Sequence, residues 1–454
     1  MTNDRTPAGE RRWDSRLARA HRYLRPGIGL KRWLVVVFLG ELLLASAGAL
    51  ILRQVYRGVA PDDPTQSPLL YLLTLQFLPL PLRPVVLLGI GVGLFLFGFW
   101  RLIGNLVAPF NSGEEPLVEL IYQKRSLARG PRIVAIGGGT GLSTLLRGLK
   151  EFSSNITAVV TVADDGGSSG KLRTELGIPP VGDIRNCIAA LADAEPLMTS
   201  LMHYRFPADS QETNGLSGHA FGNLLIAALT AVEGDFEQGV RHANRVLAVR
   251  GQVVPVAPVP LTLHAELSDG RWVEGESLIA RHQGIRRVWI APPDVRASVE
   301  AVEAIARADL IVLGPGSLYT SLLPSLLVPQ IRAALLSASA ARLYVCNVAT
   351  QVGETEGYTL ADHLAALQAH NARDVVDVVL VNDNFAARTP RDYGAAPVRF
   401  EMPPPAQLQP RIVHRDVVDL NNAHYHDAAK LAAAIVEIHE TSAGRRRVAV
   451  PKTA

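Results

Sequence analysis

Ile133-Val134-Ala135-Ile136, followed directly by Gly137-Gly138-Gly139-Thr140-Gly141, is the stretch that decides the fold. The leucines of residues 142–149 then recur at helical spacing, so the unit is predicted to be a strand, a glycine turn and a helix. Such a turn aims backbone N–H groups and a helix N-terminus at a point beyond the strand, where an anion such as phosphate is favoured. Glycine suits the turn because a side chain would block both the left-handed conformation and the close approach of a ligand.

A second glycine-rich loop, Asp164-Asp165-Gly166-Gly167-Ser168-Ser169-Gly170, follows the apolar run 156–162. A dinucleotide-binding fold is one interpretation of the two loops, and the acidic pair lies about where a ribose-binding carboxylate would sit. Its Gly-x-Gly-x-x-Gly fingerprint, however, requires glycine where this chain has Leu142. The acidic pair also runs straight into glycine and serine, which is typical of another phosphate-binding loop.

Strand and helix patterns alternate from Pro131 onward, which predicts an α/β domain with a mainly parallel sheet. An interruption of this pattern is predicted from Val253 to Ala280. Within it, residues 261–275 with their Asp269-Gly270 pair predict an antiparallel hairpin. Further strands are expected at 288–290, 309–313, 343–347 and 375–381.

Polar loops follow the later strands as well. Gly314-Pro315-Gly316-Ser317 follows the strand at 309–313, and Asn347, Thr350 and Gln351 follow the next one. Ligands of open α/β sheets bind beyond the carboxyl ends of the strands, so these loops are predicted to share one site with the first two.

Two polar segments lie at helix starts rather than at strand ends. Asp183, Arg185 and Asn186 open one helix, and Asp183 is either its N-cap or a ligand-binding group. Gly222 and Asn223 open another helix, where an amide on an apolar surface requires a partner.

The N-terminal region reads as a membrane anchor. Residues 1–32 form a basic tail, and 33–110 are predicted to hold two transmembrane helices, at 33–52 and from 85 to about 103. The arginine excess before the first span and the even number of spans place both termini in the cytoplasm of a multi-pass cell-membrane protein. A cleaved signal peptide is the competing interpretation, but the long tail and the second span favour a retained helix.

Composition excludes several classes of function. The formal charge of +3 is too small to indicate nucleic-acid binding. Cys187 and Cys346 stand alone in apolar runs, so they are predicted to be reduced core residues. His424-Tyr425-His426-Asp427 is the one histidine cluster, and no further metal ligand accompanies it in sequence.

The segments 160–170, 182–186, 218–224, 314–321 and 347–351 closely resemble the motifs of the YvcK/CofD-like family, in the same order. The resemblance runs from Arg132 to the early 430s and is nearer to the gluconeogenesis factor branch than to the 2-phospho-L-lactate transferase branch. It implies a Rossmann-like domain at 131–440, with helices on both faces of the sheet. The sequence itself predicts a linker or short helix at 111–130, between the membrane hairpin and this domain, and a basic tail at 441–454. Two features depart from the family pattern: the membrane hairpin, and Tyr425 in place of a basic residue before His-Asp.

The resemblance implies a UDP-sugar ligand, such as UDP-N-acetylglucosamine or UDP-glucose, and a regulator of central carbon metabolism and cell shape. We expect a homo-oligomer with cell-wall or carbon-metabolism proteins as partners. The enzyme alternative is a Mg²⁺-dependent transferase of a phosphoryl-linked group, with Asp164 and Asp165 as metal ligands. The predicted ligand-binding residues are Gly137, Gly138, Gly139, Thr140, Gly141, Asp164, Asp165, Gly166, Gly167, Ser168, Asp183, Arg185, Asn186, Gly222, Asn223, Gly314, Gly316, Ser317, Asn347, Thr350 and Gln351.

Overall fold

The structure is a computed structural model that describes residues 117–193, 196–207, 215–387, 394–400 and 410–449, with scattered positions between 41 and 99. The chain divides into two compact units, Met1–Gln123 and Lys124–Ala454. Most of the two predicted transmembrane segments lies outside the described residues. Among those that are described, no helix is both long and apolar enough to cross a membrane. Within the first unit, the rings of Phe95 and Phe99 stack with centroids 5.8 Å apart.

The second unit is built on a seven-stranded sheet in which every neighbouring pair is parallel, as the alternating pattern predicts. Each residue of three central strands is buried, which is the pattern of strands covered on both faces. The strands are β1 (Ile133–Gly137), β2 (Ile156–Val160), β3 (Gln252–Pro255), β7 (Leu310–Leu313), β8 (Ala341–Val345), β9 (Val378–Asn382) and β10 (Arg411–Arg415).

Two small antiparallel sheets complete the strands. The predicted hairpin is confirmed as β4 (Thr262–Leu267) and β5 (Trp272–Glu274), which pair antiparallel. The strand expected at 288–290 is β6 (Ile285–Ala291), and it joins this hairpin rather than the parallel sheet. The last pair is β11 (Val418–Asp419) and β12 (Asn422–His426).

Helices connect the strands and cover the sheet. They are α1 (Leu117–Ala128), α2 (Gly139–Leu149), α3 (Gly167–Leu176), α4 (Gly182–Leu191), α5 (Pro196–His203), α6 (Phe221–Glu233), α7 (Phe236–Val246), α8 (Glu276–Ile279), α9 (Val299–Arg307), α10 (Leu323–Leu326), α11 (Pro329–Ser337), α12 (Leu360–Ala369) and α13 (Ala428–Ala449). A π-helical turn, Leu318–Leu322, precedes α10, and a 3₁₀ turn, Arg373–Val375, follows α12.

The strand order positions the site. It runs β10-β9-β8-β7-β1-β2-β3, so the direction of chain progress reverses between β1 and β7. Ligands of open α/β sheets bind at such a switch point, beyond the carboxyl ends of the strands. The loops after β1 and β7, 137–141 and 314–317, meet there.

The chain enters the second unit at the opposite edge of the sheet. There Asn155, just before β2, donates hydrogen bonds to the carbonyls of Ala128 and Gly130, at 3.0 and 2.8 Å. Ser154 N–H donates to the carbonyl of Leu127 at 3.0 Å. The end of α1 is therefore fixed to the amino edge of the sheet.

Candidate functional site

A cleft of about 330 Å³ opens at the switch point between β1 and β7. It is bounded by the loops after β1, β7 and β8 and by β12. Its lining includes eight of the predicted ligand-binding residues: Gly139, Thr140, Gly141, Gly316, Ser317, Asn347, Thr350 and Gln351. Thr144 and Val348 also line the cleft, although they are not among the predicted ligand-binding residues.

The N-terminus of α2 faces this cleft. Its N-cap is Gly138, which supplies no side-chain hydrogen bond, and the first turn carries no acidic residue. Gly139, Thr140, Gly141 and, one turn on, Thr144 all line the cleft. The N–H groups and the positive end of an eleven-residue helix are thus directed at the cleft, which favours a negatively charged ligand.

Glycine is required where the two loops touch. A Cβ at Gly141 would lie 2.8 Å from the carbonyl oxygen of Pro315 and 2.9 Å from the amide nitrogen of Gly316. Gly139 differs, since an added Cβ would meet only Ser321 Oγ at 3.8 Å but its φ of +67° disfavours a side chain. The backbones of the loop after β1 and the loop after β7 therefore come closest to each other at Gly141.

Two side chains from other elements fix the loops. Asp183, in the first turn of α4, accepts a hydrogen bond from Gly139 N–H. Asn347, after β8, accepts from Gly316 N–H at 3.2 Å and donates to the Gly316 carbonyl at 2.9 Å. The N-cap of α4 is Val181, so the interpretation of Asp183 as an N-cap is wrong.

The far wall of the cleft is formed by β8, its following loop and β12. Ser317 donates to Gln351 Oε1 at 2.8 Å, and Thr350 Oγ1 accepts from Ala396 N–H at 3.0 Å. His426, at the end of β12, bonds the Cys346 carbonyl through Nε2, and burial lowers its pKa to about 4. His426 is therefore neutral at pH 7 and holds β12 against β8.

Both cysteines of the chain, Cys187 and Cys346, are free and buried, as predicted.

Asp164 and Asp165 face different elements. Asp164 bonds Gly166 N–H at 2.8 Å and the Ser169 side chain, and a Cβ at Gly182 of α4 would lie 3.3 Å from its Oδ2. Asp165 Oδ1 accepts instead from Ser277 N–H of α8 at 2.9 Å. Neither carboxylate lines the cleft of the first loop.

Carboxyl groups nevertheless gather behind the loops. Burial, and then the charge of Asp164, raise the pKa of Asp183 to about 6. Burial also raises the pKa of Glu354 to about 7, and burial with four nearby carboxylates raises that of Glu276 to about 8. Glu354 accepts hydrogen bonds from Thr320 Oγ1 and from Tyr319 N–H in the π-helical turn. Glu276 was not predicted, because no sequence motif links it to Asp164, Asp165 and Asp183, which lie about a hundred residues earlier.

The carboxyl groups near the two glycine loops do not meet the requirements of a magnesium site. No three of the His, Cys, Asp and Glu side chains that the structure describes are arranged to hold a metal ion together. Asp164 and Asp165 point to separate partners, so the predicted pair does not by itself supply two adjacent oxygen ligands. These residues do not form a Mg²⁺ site on their own.

The second glycine loop has its own polar cluster. Ser168 Oγ accepts from Asn223 Nδ2 at 3.0 Å and from Ala220 N–H at 3.3 Å, and it lies 3.2 Å from His219 Nδ1. Because two donors already occupy its lone pairs, the Ser168 hydroxyl proton is directed at His219 Nδ1. Arg185 packs against Gly222, where an added Cβ would lie 2.8 Å from Arg185 Cδ. The side chains that form this cluster do not line the first cleft: Ser168, His219, Asn223 and Arg185.

The structure thus brings the predicted residues together in two groups. The first comprises the cleft-lining residues with Gly137, Gly138 and Gly314 of the same loops. The second lies around the loop after β2 and comprises Asp164, Asp165, Gly166, Gly167, Ser168, Asp183, Arg185, Asn186, Gly222 and Asn223. Asp183 touches both groups, since it starts α4 and bonds Gly139.

The fold and the site define an α/β protein with glycine loops at a topological switch point. Its residues 133–418 match the model of the family described as "2-phospho-L-lactate transferase CofD". The chain is 46% identical over 318 residues to the "Gluconeogenesis factor" of Bacillus subtilis, covering 69% of this chain and 99% of that protein. The chain belongs to the CofD/YvcK family.

Two further comparisons extend the similarity. A "Putative gluconeogenesis factor" of Nostoc is 45% identical over 435 residues, which covers 92% of each chain. That share is larger than residues 131–454 alone can supply, so the similarity reaches into the N-terminal region. A crystal structure of a Bacillus halodurans protein aligns with a TM-score of 0.63 at 44% identity, covering 68% of this chain and 100% of that one.

Proposed function

We propose that this protein is a membrane-anchored, UDP-sugar-binding regulator of central carbon metabolism and cell-wall growth, acting as a homo-oligomer. The observation that carries the proposal is the N-terminus of α2, which is directed into a cleft between two glycine loops; Asp183 bonds its first N–H, and Gly138 supplies no side-chain cap for the others. The names of the Bacillus and Nostoc relatives support a role in carbon metabolism.

The diphosphate is assigned to the cleft between the two loops. Backbone N–H groups at the start of α2 would donate to it, and the Ser317 hydroxyl, which donates to Gln351, would donate to it only after releasing Gln351. Asn347, Thr350 and Gln351 on the far wall supply amide and hydroxyl groups suited to a sugar or ribose, while Tyr425, 42% exposed, offers an aromatic ring. A charged diphosphate gains most at the helix N-terminus, because the dipole and the unsatisfied N–H groups act together there.

The membrane part of the proposal rests on the sequence. The basic tail before residue 33 and the two apolar stretches support an anchored protein with its C-terminal domain in the cytoplasm. The reach of the Nostoc similarity into the same region supports an N-terminal segment that is shared with a relative.

Thermal shift of the full chain tests the ligand. UDP-N-acetylglucosamine and UDP-glucose should raise the melting temperature, whereas GDP and NAD should not. A ligand at a hundred times its Kd stabilises the folded state by about 2.7 kcal/mol, which such an assay detects. Stabilisation by NAD but not by the UDP-sugars would replace the proposal with dinucleotide binding.

A transferase is the alternative, and the matched family model favours it. In that case the glycine loops would bind the diphosphate of a donor, and a carboxylate of the second group would accept the proton of an acceptor hydroxyl. Asp183 of that group has a raised pKa, as a general base working near neutral pH requires, and so does Glu276, which is close enough to Asp164, Asp165 and Asp183 for their charges to act on it. Release of free nucleotide on incubation of the full chain with a nucleotide-linked donor, an acceptor and Mg²⁺ would favour this alternative.

A further inference from the structure

Strand β5 forms one edge of the small antiparallel sheet, whose strand order is β5-β4-β6. The Gly275 N–H, at the end of β5, donates to the Leu263 carbonyl of β4 at 2.8 Å. Backbone groups of an antiparallel strand point alternately toward and away from the neighbouring strand. Because Gly275 points toward β4, the N–H and C=O groups of Trp272 and Glu274 point away from it.

The outward edge of β5 is accessible. Trp272 is 76% exposed, and the Glu274 side chain is 71% exposed. The outward backbone groups of these two residues make no hydrogen bond to any residue that the structure describes. An unpaired strand edge of this kind is a template for a strand from another chain.

Trp272 is held in place despite its exposure. Its ring meets the ring of Trp289 on β6 edge-on, with centroids 5.4 Å apart, and Trp289 in turn stacks on His264 of β4 with centroids 5.5 Å apart. The opposite face of the hairpin packs on the core, where Val273 is partly buried. Tryptophan is enriched among the residues that dominate binding energy at protein interfaces. The edge therefore presents a fixed tryptophan beside unpaired backbone groups.

Both ends of the edge limit what can pair with it. The Asp269-Gly270 turn precedes β5, and at Gly275 a φ of +98° directs the chain into α8. Gly275 also packs against the carboxylate of Asp165, which fixes this end of the strand. Only three residues are available between the turn and α8, so a long extended peptide would have to pass both. A strand that is equally short and ends in the same way fits without that conflict, and β5 of a second copy is such a strand.

We propose that β5 pairs antiparallel with β5 of a second copy of this chain, about a two-fold axis through Val273. Trp272 of each copy then lies opposite Glu274 of the second copy, and each such pair exchanges two N–H···O bonds, so that two three-stranded sheets become one. This interface specifies the homo-oligomer of the proposed function and rests on that part of it.

The size of the contact sets its strength. Interfaces carry about one hydrogen bond per 100–200 Å², so the four backbone hydrogen bonds correspond to about 400–800 Å² of buried surface, to which the two Trp272 rings add. Stable complexes bury about 1,200–2,000 Å². The dimer is therefore reversible, and its population depends on protein concentration.

Disulfide trapping of the full chain in detergent tests the register. In a non-hydrogen-bonded antiparallel pair the Cα atoms lie about 4.5 Å apart, within the range of a disulfide, so Val273→Cys should give a covalent dimer on mild oxidation. The native cysteines are buried and do not compete. Val299→Cys, at a 68% exposed valine of α9, is the matched control and should stay monomeric under the same conditions.

Sedimentation equilibrium of the same protein tests the backbone pairing. Glu274→Pro removes an N–H that points away from β4, and proline is tolerated at such edge positions, so the fold should persist while the dissociation constant of the dimer rises at least tenfold. Glu274→Gln keeps the N–H and should dimerise like the wild type, and melting temperatures confirm that both variants are folded.

The possible failures are distinguishable. A wild-type dimer that Glu274→Pro leaves intact, or a Val273→Cys protein that does not crosslink, would refute this interface and leave the homo-oligomer standing. A wild type that remains monomeric at every concentration would refute both the interface and the homo-oligomer. Loss of UDP-sugar binding with the dimer retained would count against the proposed ligand alone.

Discussion

Gly141→Ala should separate the two loops that form the cleft. The new Cβ would lie 2.8 and 2.9 Å from backbone atoms of Pro315 and Gly316, so one loop must move by about half an ångström to reach ordinary contact. Such overpacking typically costs 1–3 kcal/mol. Alanine is favoured over glycine inside a helix by up to about 1 kcal/mol, which offsets part of that cost. We therefore expect a net loss of stability of about 1 kcal/mol.

The effect on the ligand should be larger than the effect on stability. The start of α2 and the loop at Gly316 both line the cleft, and a ligand that bridges them tolerates little displacement. We expect the Kd for UDP-N-acetylglucosamine, measured by calorimetry, to rise at least tenfold, which is about 1.4 kcal/mol. Urea unfolding of the same samples measures the stability.

Two other glycines provide controls. At Gly215 an added Cβ meets nothing within 4 Å, so Gly215→Ala should change neither quantity. At Gly239, within α7, it would lie 2.7 Å from the Thr230 backbone of α6, so Gly239→Ala should lower stability and leave the Kd of the folded protein unchanged. A Gly141→Ala protein that binds with wild-type affinity would refute the assignment of the ligand to this cleft.

Three further predictions concern pH, divalent ions and topology. Asp183 holds its proton more tightly in the folded chain, with a pKa of about 6 against 3.8, so its stabilising contribution is complete below about pH 4 and lost as pH rises through 6. Asp183→Asn should therefore flatten the stability curve over this range in denaturation measurements, and an unchanged slope would contradict the burial argument. EDTA should weaken binding of UDP-N-acetylglucosamine less than tenfold, whereas complete loss of binding in EDTA, restored by Mg²⁺, would favour the transferase. The Asp164→Asn and Asp165→Asn variants should differ from each other in their affinity for UDP-N-acetylglucosamine, because the two side chains face different elements. Cysteines introduced at Asp62 and Ser126 should be labelled by an impermeant reagent in intact cells only at position 62, since the native cysteines are buried, and the reverse pattern would overturn the topology.

Local sequence pattern was sufficient for five of the seven strands of the parallel sheet and for the glycine loops, but β3 falls in the segment predicted to interrupt the pattern and β10 was not predicted. β-branched runs that end in glycine mark β1 and β7 directly, because few other patterns place a buried strand before a left-handed turn. The Asp269-Gly270 pair likewise marked its hairpin. These features are encoded within about ten residues, and the strand bounds differ from the predicted ones by at most a few positions.

Contacts between distant segments could not be predicted in this way. Asp165 bonds Ser277 across 112 residues, and nothing in either segment indicates the other. Asp183 was predicted either to cap its helix or to bind a ligand, yet it holds Gly139 in the neighbouring loop. The division of the polar residues into two groups follows from which face of α4 each side chain occupies, and that requires the tertiary structure.

Helix α13 is attached to the cleft at its first residue. Strand β12 lines the cleft with His424, Tyr425 and His426, and only Asp427 separates it from α13, which then packs against α2. The 22-residue helix is about 33 Å long, so a tilt of about 10° at the cleft would displace its far end by about 6 Å. A small rotation at the first residue of this helix would therefore appear at its C-terminal end as a displacement about as long as a side chain, provided that its packing against α2 gives way.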